Sequence, residues 1–246
     1  MQRDLGKPLQ DPDALCAIAV RLIDLAHLRP GSEAALKEIG SRGATTLAPS
    51  NVTLDGSDIS LSFKGKSGKW VAAEVSDALL SRKLARLKEA NRRRLFRISQ
   101  AGCSFDLSCS DLNAYLQRAA DAAISAKDFR TYDASAVALW RLAATPVPPS
   151  LHARQRVLAA VARDVAQRLH NTPAIARKSY IHPAVVEAWL AGEFDNGAGE
   201  RLRRSVRASR YCSRAESALR RFVSGKVRAQ SGRALGIGTG HSKARP

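Results

Sequence analysis

A chain of 246 residues with 45% apolar content can bury roughly 70% of its unfolded surface, which excludes a stapled miniprotein and a disordered basic tail alike. Forty Lys and Arg against twenty-two Asp and Glu leave a net charge of +18, too large an excess for an enzyme of neutral substrates, and the expected partner is a polyanion. No apolar run approaches the eighteen or so residues of a membrane span and no leader pattern opens the chain, so the expected setting is the cytoplasm, away from membranes.

Asp11-Pro12-Asp13 supplies an N-cap, a proline for the first helical position and an early acid. Leu15, Ile18, Leu22 and Leu25 follow at helical spacing, predicting a helix over 12–28. Leu28-Arg29-Pro30-Gly31 ends it and leaves Arg29 at a helix exit. From Val52 the period becomes two: Val52 and Leu54, a turn at Asp55-Gly56-Ser57-Asp58, then Ile59, Leu61 and Phe63 predict a hairpin. Lys64-Gly65-Lys66-Ser67-Gly68-Lys69 forms a second turn before a third antiparallel strand with Trp70, Val71 and Val75, so lysines stand at a hairpin tip.

Beyond Asp77 the pattern reads as helical almost throughout: Leu80, Leu84 and Leu87, then Leu112, Tyr115 and Leu116 behind a Ser110 N-cap, then a segment over about 125–143. The proline-rich 145–150 breaks the run. Val157, Val161, Val165 and Leu169 mark the clearest helix, which Asn171-Thr172-Pro173 stops, and another opens at Pro183. Residues 201–246 hold thirteen Lys and Arg and one acid, about +12 of the total. That segment reads as a basic extension with short helices around Leu202, Val206, Leu219, Phe222 and Val223 and a loose end from Gly232. Cys16, Cys103, Cys109 and Cys212 lack metal-ligand spacing and read as reduced, mostly buried thiols.

Gly65-Lys66-Ser67 matches the end of a phosphate-binding loop, but the required first glycine falls on Ser60. Gly236-Ile237-Gly238-Thr239-Gly240 has no apolar strand before it, as a dinucleotide fingerprint would require. With no metal-protease motif, nucleophile elbow or carboxylate cluster, neither cofactor nor metal is expected. Attention falls on cations set in structured sequence: Arg29, Lys66, and Arg130 in Ala126-Lys127-Asp128-Phe129-Arg130-Thr131-Tyr132. Each alone is equally a surface or salt-bridge residue. Tyr180, next to Arg177 and Lys178 and between two helices, is either a tyrosine capping a core or a nucleophile toward a DNA phosphorus.

Together these segments resemble the catalytic domain of the type IB DNA topoisomerases, specifically the compact bacterial and poxviral-like branch, from about residue 15 to 194. The matching stretches are Leu28-Arg29-Pro30-Gly31-Ser32-Glu33, Gly43-Ala44-Thr45-Thr46-Leu47, residues 63–69, Asp111-Leu112-Asn113-Ala114-Tyr115-Leu116, residues 126–132 and residues 171–183. The resemblance implies that Arg29, Lys66, Arg130, Asn171 and Tyr180 hold five active-site positions, with Lys127 beside them where tyrosine recombinases usually carry histidine. It further implies a mainly helical α+β catalytic domain with a small antiparallel three-stranded sheet over residues 1–200, working as a monomer on double-stranded DNA. The implied activity is supercoil relaxation through a 3′-phosphotyrosyl link, without ATP or metal. Three departures stand out. The chain begins almost at the catalytic domain, so the clamp domain that precedes it in the family is expected to be missing or supplied by a separate chain. Asp133 brings an acid where a small residue is usual, and His170 precedes Asn171 where glycine is usual. A non-catalytic basic DNA-binding relative and a tyrosine recombinase stay open as alternatives.

Overall fold

The computed structural model describes residues 2–100, 103–209 and 212–235. A short helix α1 (Gln2–Leu5) leads to α2 (Pro12–Ala26), which Pro12 opens at the first helical position. The Asp11 carboxylate caps α2 by accepting from the Asp13 amide at 2.8 Å. Leu15, Ile18, Leu22 and Ile23 are all fully enclosed, because α2 packs against several elements at once. It stops two residues before the predicted end, where His27 turns left-handed at φ 51°. A helix not anticipated from periodicity, α3 (Glu33–Ile39), follows.

The predicted three-stranded sheet is present as β1 (Val52–Asp55), β2 (Asp58–Lys64) and β3 (Trp70–Ser76), antiparallel and in that order, with Val52 opposite Leu61 and Phe63 opposite Val71. Ile59, Leu61 and Phe63 lie on the buried face while their neighbours in β2 are exposed. Helix α4 (Ala78–Ala90) is capped by Asp77, which accepts from the Leu79 and Leu80 amides at 3.0 and 2.9 Å. The reading of the chain beyond Asp77 as helical almost throughout is then corrected by a hairpin, β4 (Arg97–Gln100) with β5 (Cys103–Asp106). The next helix, α5 (Cys109–Ala120), is capped by Ser108 rather than Ser110. Ser108 and Asp111 sit three apart and satisfy each other's amides, a reciprocal box that Ser110 has no acid in position to complete.

The remaining helices are α6 (Ala126–Leu142), α7 (Leu151–Arg168), α8 (Pro173–Ser179), α9 (Pro183–Leu190), α10 (Ala198–Arg204) and α11 (Arg214–Leu235). The α+β class expected from the sequence is the one observed. Two compact units are formed, one from the N-terminus to Thr131 with Gln167–Asn171, the other Tyr132–Ala166 with Thr172 onward. In the first, α2, the three-stranded sheet, α4 and α5 enclose a single apolar core. In the second, Leu139, Leu142, Val161, Val165, Val185 and Trp189 are buried, and the Trp189 indole donates to the Thr145 carbonyl at 2.7 Å. Gly199 touches this core so closely that a Cβ there would lie 2.0 Å from the Ala143 oxygen.

Helix α11 is a single helix of 22 residues rather than short pieces, and it continues past Gly232. It joins the second unit through Phe222, whose ring is 5.8 Å from that of Phe194, and through Arg214, whose guanidinium is 5.3 Å from the Trp140 ring that Arg203 covers at 4.4 Å. Residues 236–246, including the glycine-rich Gly236–Gly240 stretch and most of the expected loose end, lie outside the described residues. The cysteines are free, but only Cys16 is buried, where desolvation pushes its thiol up to about 12; Cys103 is exposed and the other two are half-buried. Among the described residues no helix is long and apolar enough to cross a membrane.

Candidate active site

Arg29 owes its position to two matched stretches that clasp each other. The Ala44 amide donates to the Arg29 carbonyl at 2.8 Å, and the Thr45 amide and hydroxyl donate to the Pro30 carbonyl at 2.7 and 2.9 Å. Gly31 takes φ 105°, a left-handed conformation that favours glycine, while Gly43 fits because it has no side chain: a Cβ there would stand 2.5 Å from the Gly31 nitrogen and 2.6 Å from the Arg29 oxygen. Thr46 closes the turn by accepting from the Gly43 amide at 2.8 Å. From this fixed backbone the Arg29 guanidinium donates through Nη2 to Asn171 Oδ1 at 3.2 Å, joining two predicted site residues 142 positions apart.

Arg130 is 2% exposed. Its guanidinium donates to the His27 carbonyl at the end of α2 and, at 2.9 Å, to the Leu169 carbonyl just beyond α7. The last carbonyls of a helix carry partial negative charge, so two helix ends fix this cation in place. The start of α6 is fixed as well. The Ala126 amide donates to Asn113 Oδ1 at 3.0 Å, and the Ser125 amide and hydroxyl each donate to Asp128 Oδ2 at 2.8 Å. Asn113 thereby sets the first turn of α6, where Lys127 is exposed and from which Arg130 projects one turn further on.

His170 occupies the left-handed residue after α7, at φ 50°, a conformation that glycine adopts without strain. Burial, and then the nearby Arg130 charge, lower its pKa from the ordinary histidine value, while a hydrogen bond to Ala26 acts in the opposite sense. Of these two neighbours it is Asn171, not His170, that bonds to Arg29.

Lys66 stands exposed on a single 3-10 turn, Lys66–Gly68, between β2 and β3. Gly65 before it is buried, its amide bonded to the Lys69 carbonyl at 2.7 Å, and a Cβ there would lie 2.7 Å from Val71 Cγ2. The Lys64 carbonyl accepts from the Arg42 amide at 2.8 Å, which ties the hairpin to the residue next to Gly43. This is a strand-to-strand turn, not the strand-to-helix loop that cradles nucleotide phosphates, so the phosphate-loop reading of Gly65-Lys66-Ser67 is set aside on geometry too.

Arg29, Lys66, Lys127, Arg130 and Asn171 belong to the first unit and Tyr180 to the second. Tyr180 ends α8, a helix started by Thr172 accepting from the Ile175 amide at 3.3 Å and by Pro173 at the first position. Its carbonyl accepts from the Ser135 hydroxyl at 3.2 Å, and the same hydroxyl accepts from the His182 amide at 3.0 Å, so Ser135 fixes the backbone on both sides of Ile181. The tyrosine is 5% exposed, while Arg177 and Lys178 beside it face solvent. Tyr115 is 3% exposed and donates to Asp4 at 2.8 Å, the behaviour of a core tyrosine. Asp133, the acid at an unusual position, is buried in the second unit.

Periodicity did not single out Gly43, Asn113 or Ser135, which act through backbone contacts. Among the described residues no group of three or more His, Cys, Asp or Glu is arranged to hold a metal ion. What the first unit offers is a set of fixed or exposed cations and one neutral amide, chemistry suited to binding a phosphodiester and neutralising charge on its oxygens.

Residues 1–191 match the family model of the eukaryotic DNA topoisomerase I catalytic core. The chain is also similar to a DNA topoisomerase 1B of Acanthamoeba polyphaga mimivirus, at 23% identity over 197 residues. That alignment covers 77% of this chain, which spans 59% of the length of that relative.

Proposed function

The chain belongs to the type IB DNA topoisomerases, and on that premise we propose that it relaxes supercoiled double-stranded DNA by cutting and resealing one strand through Tyr180. The Tyr180 hydroxyl oxygen attacks the scissile phosphorus, the bond from phosphorus to the 5′ oxygen breaks, and a 3′-phosphotyrosyl bond forms. The tyrosine proton is lost to solvent and Lys66 supplies one to the departing 5′ oxygen, with Lys127 assisting. Rotation of the cut strand relaxes the helix. The 5′ hydroxyl then attacks the phosphotyrosine and expels the phenol, so the phosphodiester energy is conserved and neither ATP nor metal is consumed.

A tyrosine with pKa near 10 is phenolate in only about one molecule in 10³ at neutral pH, so charge on the phosphate must be offset for attack to proceed. Arg29 and Arg130 carry permanent planar charge suited to the nonbridging oxygens, and losing one such donor typically costs about 3 kcal/mol of barrier. Asn171 adds a neutral hydrogen bond. The observation that carries this reading is the 3.2 Å bond between Arg29 and Asn171, which joins two implied phosphate-binding side chains from opposite ends of the matched sequence.

A second reading is a DNA-binding relative without turnover, and it is favoured by the enclosure of Tyr180, which is 5% exposed. Incubation with one negatively supercoiled plasmid in EDTA, without ATP, separates the two. The proposed enzyme yields a ladder of relaxed topoisomers; a gel shift with superhelical density unchanged favours the binder.

A further inference from the structure

We propose that an arginine-lined cavity in the first unit, outside the residues assigned to the scissile phosphate, binds a second backbone phosphate of the same duplex. The cavity measures about 560 Å³ and its walls include Arg42, Arg92, Arg93, Arg94, Arg97 and Asp106. Arg97 is neutralised by Asp106, with bonds of 2.7 and 3.0 Å, and Arg94 pairs with Glu33. Five guanidinium charges against these two carboxylates leave a surplus of three in one concave space.

Two features distinguish the cavity from a solvated basic surface. Arg94 is only 9% exposed, and its buried Nε has no hydrogen-bond partner among the described residues. A buried unsatisfied donor of a charged group is costly unless a ligand completes it. Arg42 donates to the Thr46 carbonyl at 2.5 Å, and burial together with the Arg94 charge lowers its pKa. A phosphate oxyanion would relieve the crowding of like charge between Arg42 and Arg94. Arg92 and Arg93, exposed at the rim, can reach a ligand without being needed for the core.

The cavity is also connected to the candidate active site through backbone. Arg42 immediately precedes Gly43, whose turn clasps Arg29, and its amide holds the Lys64 carbonyl two residues before Lys66. A phosphate held here would fix the duplex against both segments that carry predicted site cations.

The inference rests on duplex DNA being the partner, and its test does not need cleavage. Duplex binding is measured against salt concentration in a Tyr180→Phe background, for the unchanged pocket, for Arg92→Ala/Arg93→Ala, and for Arg82→Ala/Arg86→Ala on the exposed face of α4, which removes the same charge elsewhere. The pocket variant is expected to lower the log-log salt slope by about 0.9, the value for one lost phosphate contact, and the α4 variant by less. Thermal melting confirms that both variants are folded. An unchanged slope in the pocket variant overturns the proposal, as does an equal fall in the α4 variant, which would mean a diffuse field. Inorganic tripolyphosphate provides the last arm: if it raises the melting temperature through Arg92 and Arg93 while the duplex slope does not depend on them, the cavity takes a free anion and the proposal fails. Absence of plasmid relaxation by the chain with Tyr180 intact, alongside the expected slope change, would refute the proposed enzyme activity alone.

Discussion

Replacing Gly43 with alanine is the sharpest single perturbation of the candidate site, because it adds one methyl group where two backbone segments meet. Ordinary contact begins near 3.4 Å, whereas the new Cβ would stand 2.5 Å from the Gly31 nitrogen and 2.6 Å from the Arg29 oxygen. The segment carrying Arg29 must therefore move by about 0.9 Å, since backbone has no flexible end to swing aside. Such a shift strains the bonds from Ala44 to Arg29 and from Thr45 to Pro30, each worth about 1 kcal/mol, and overpacking adds about 1 to 3 kcal/mol. The expected loss of stability is roughly 3 to 5 kcal/mol by urea denaturation. Because a misplacement of about 1 Å in a positioning group costs about 10²-fold in rate, single-turnover cleavage should fall by that order under conditions where the variant is fully folded. Gly225→Ala, in α11 with open space around it, is the control and should gain about 0.5 to 1 kcal/mol from helix propensity with no change in cleavage. A Gly43→Ala protein with unchanged urea midpoint and cleavage rate would refute the claim that this contact positions Arg29.

Lys66→Ala should slow cleavage by at least about 10²-fold, the usual scale of general-acid assistance. A substrate with sulfur at the bridging 5′ position, a far better leaving group, should restore that variant's cleavage; failure of rescue would mean that Lys66 only binds phosphate. The lowered His170 pKa means that the unfolded chain binds this proton more readily than the folded one, so stability is whole above about pH 6.5 and declines as pH falls from there through the lower folded value. His170→Asn, which also tolerates the left-handed backbone, should flatten that part of a stability profile measured by urea denaturation. Asp4 is held down to about 2 by its hydrogen bond from Tyr115 and by Lys7, so its contribution is present above about pH 4 and is lost as pH falls through 2. Tyr115→Phe should shrink that acid-side loss and leave any covalent adduct intact.

The elements legible in the sequence were those whose burial repeats along the chain. Ile59, Leu61 and Phe63 alternate inward and mark β2 without ambiguity, and α2 carries its cap and proline in plain view. Helix α3 has no buried residue, so no apolar period could reveal it; its signals were only the Ser32 cap and the left-handed Gly40 at its end. The β4–β5 hairpin has Ile98 as its one buried residue among those described and Phe105 only partly so, too little for an alternating pattern. In α11, Gly225 and Gly232 lower helix propensity, but Arg214 on Trp140 and Phe222 on Phe194 supply tertiary contacts that a local reading does not see. At the site, the charged residues could be picked out by their setting, whereas Arg29 meeting Asn171 depends on a turn at Gly43 whose purpose is steric and long-range. The Arg92-Arg93-Arg94 run was not singled out from the sequence, because the cavity that gives it a role arises only when Arg42 and Arg97 arrive from other segments.

The most direct measurement is transfer of a 5′ radiolabel from a cut DNA strand to the protein. A duplex labelled at the 5′ end of one strand is mixed with the full chain, quenched in detergent and run on a denaturing gel. A 3′-phosphotyrosyl link predicts label migrating with the protein, a free 5′ hydroxyl on the other fragment, and loss of both in Tyr180→Phe although that variant still binds the duplex. No labelled protein from the unaltered chain, or an adduct that survives Tyr180→Phe, would contradict the assignment of Tyr180 as the nucleophile.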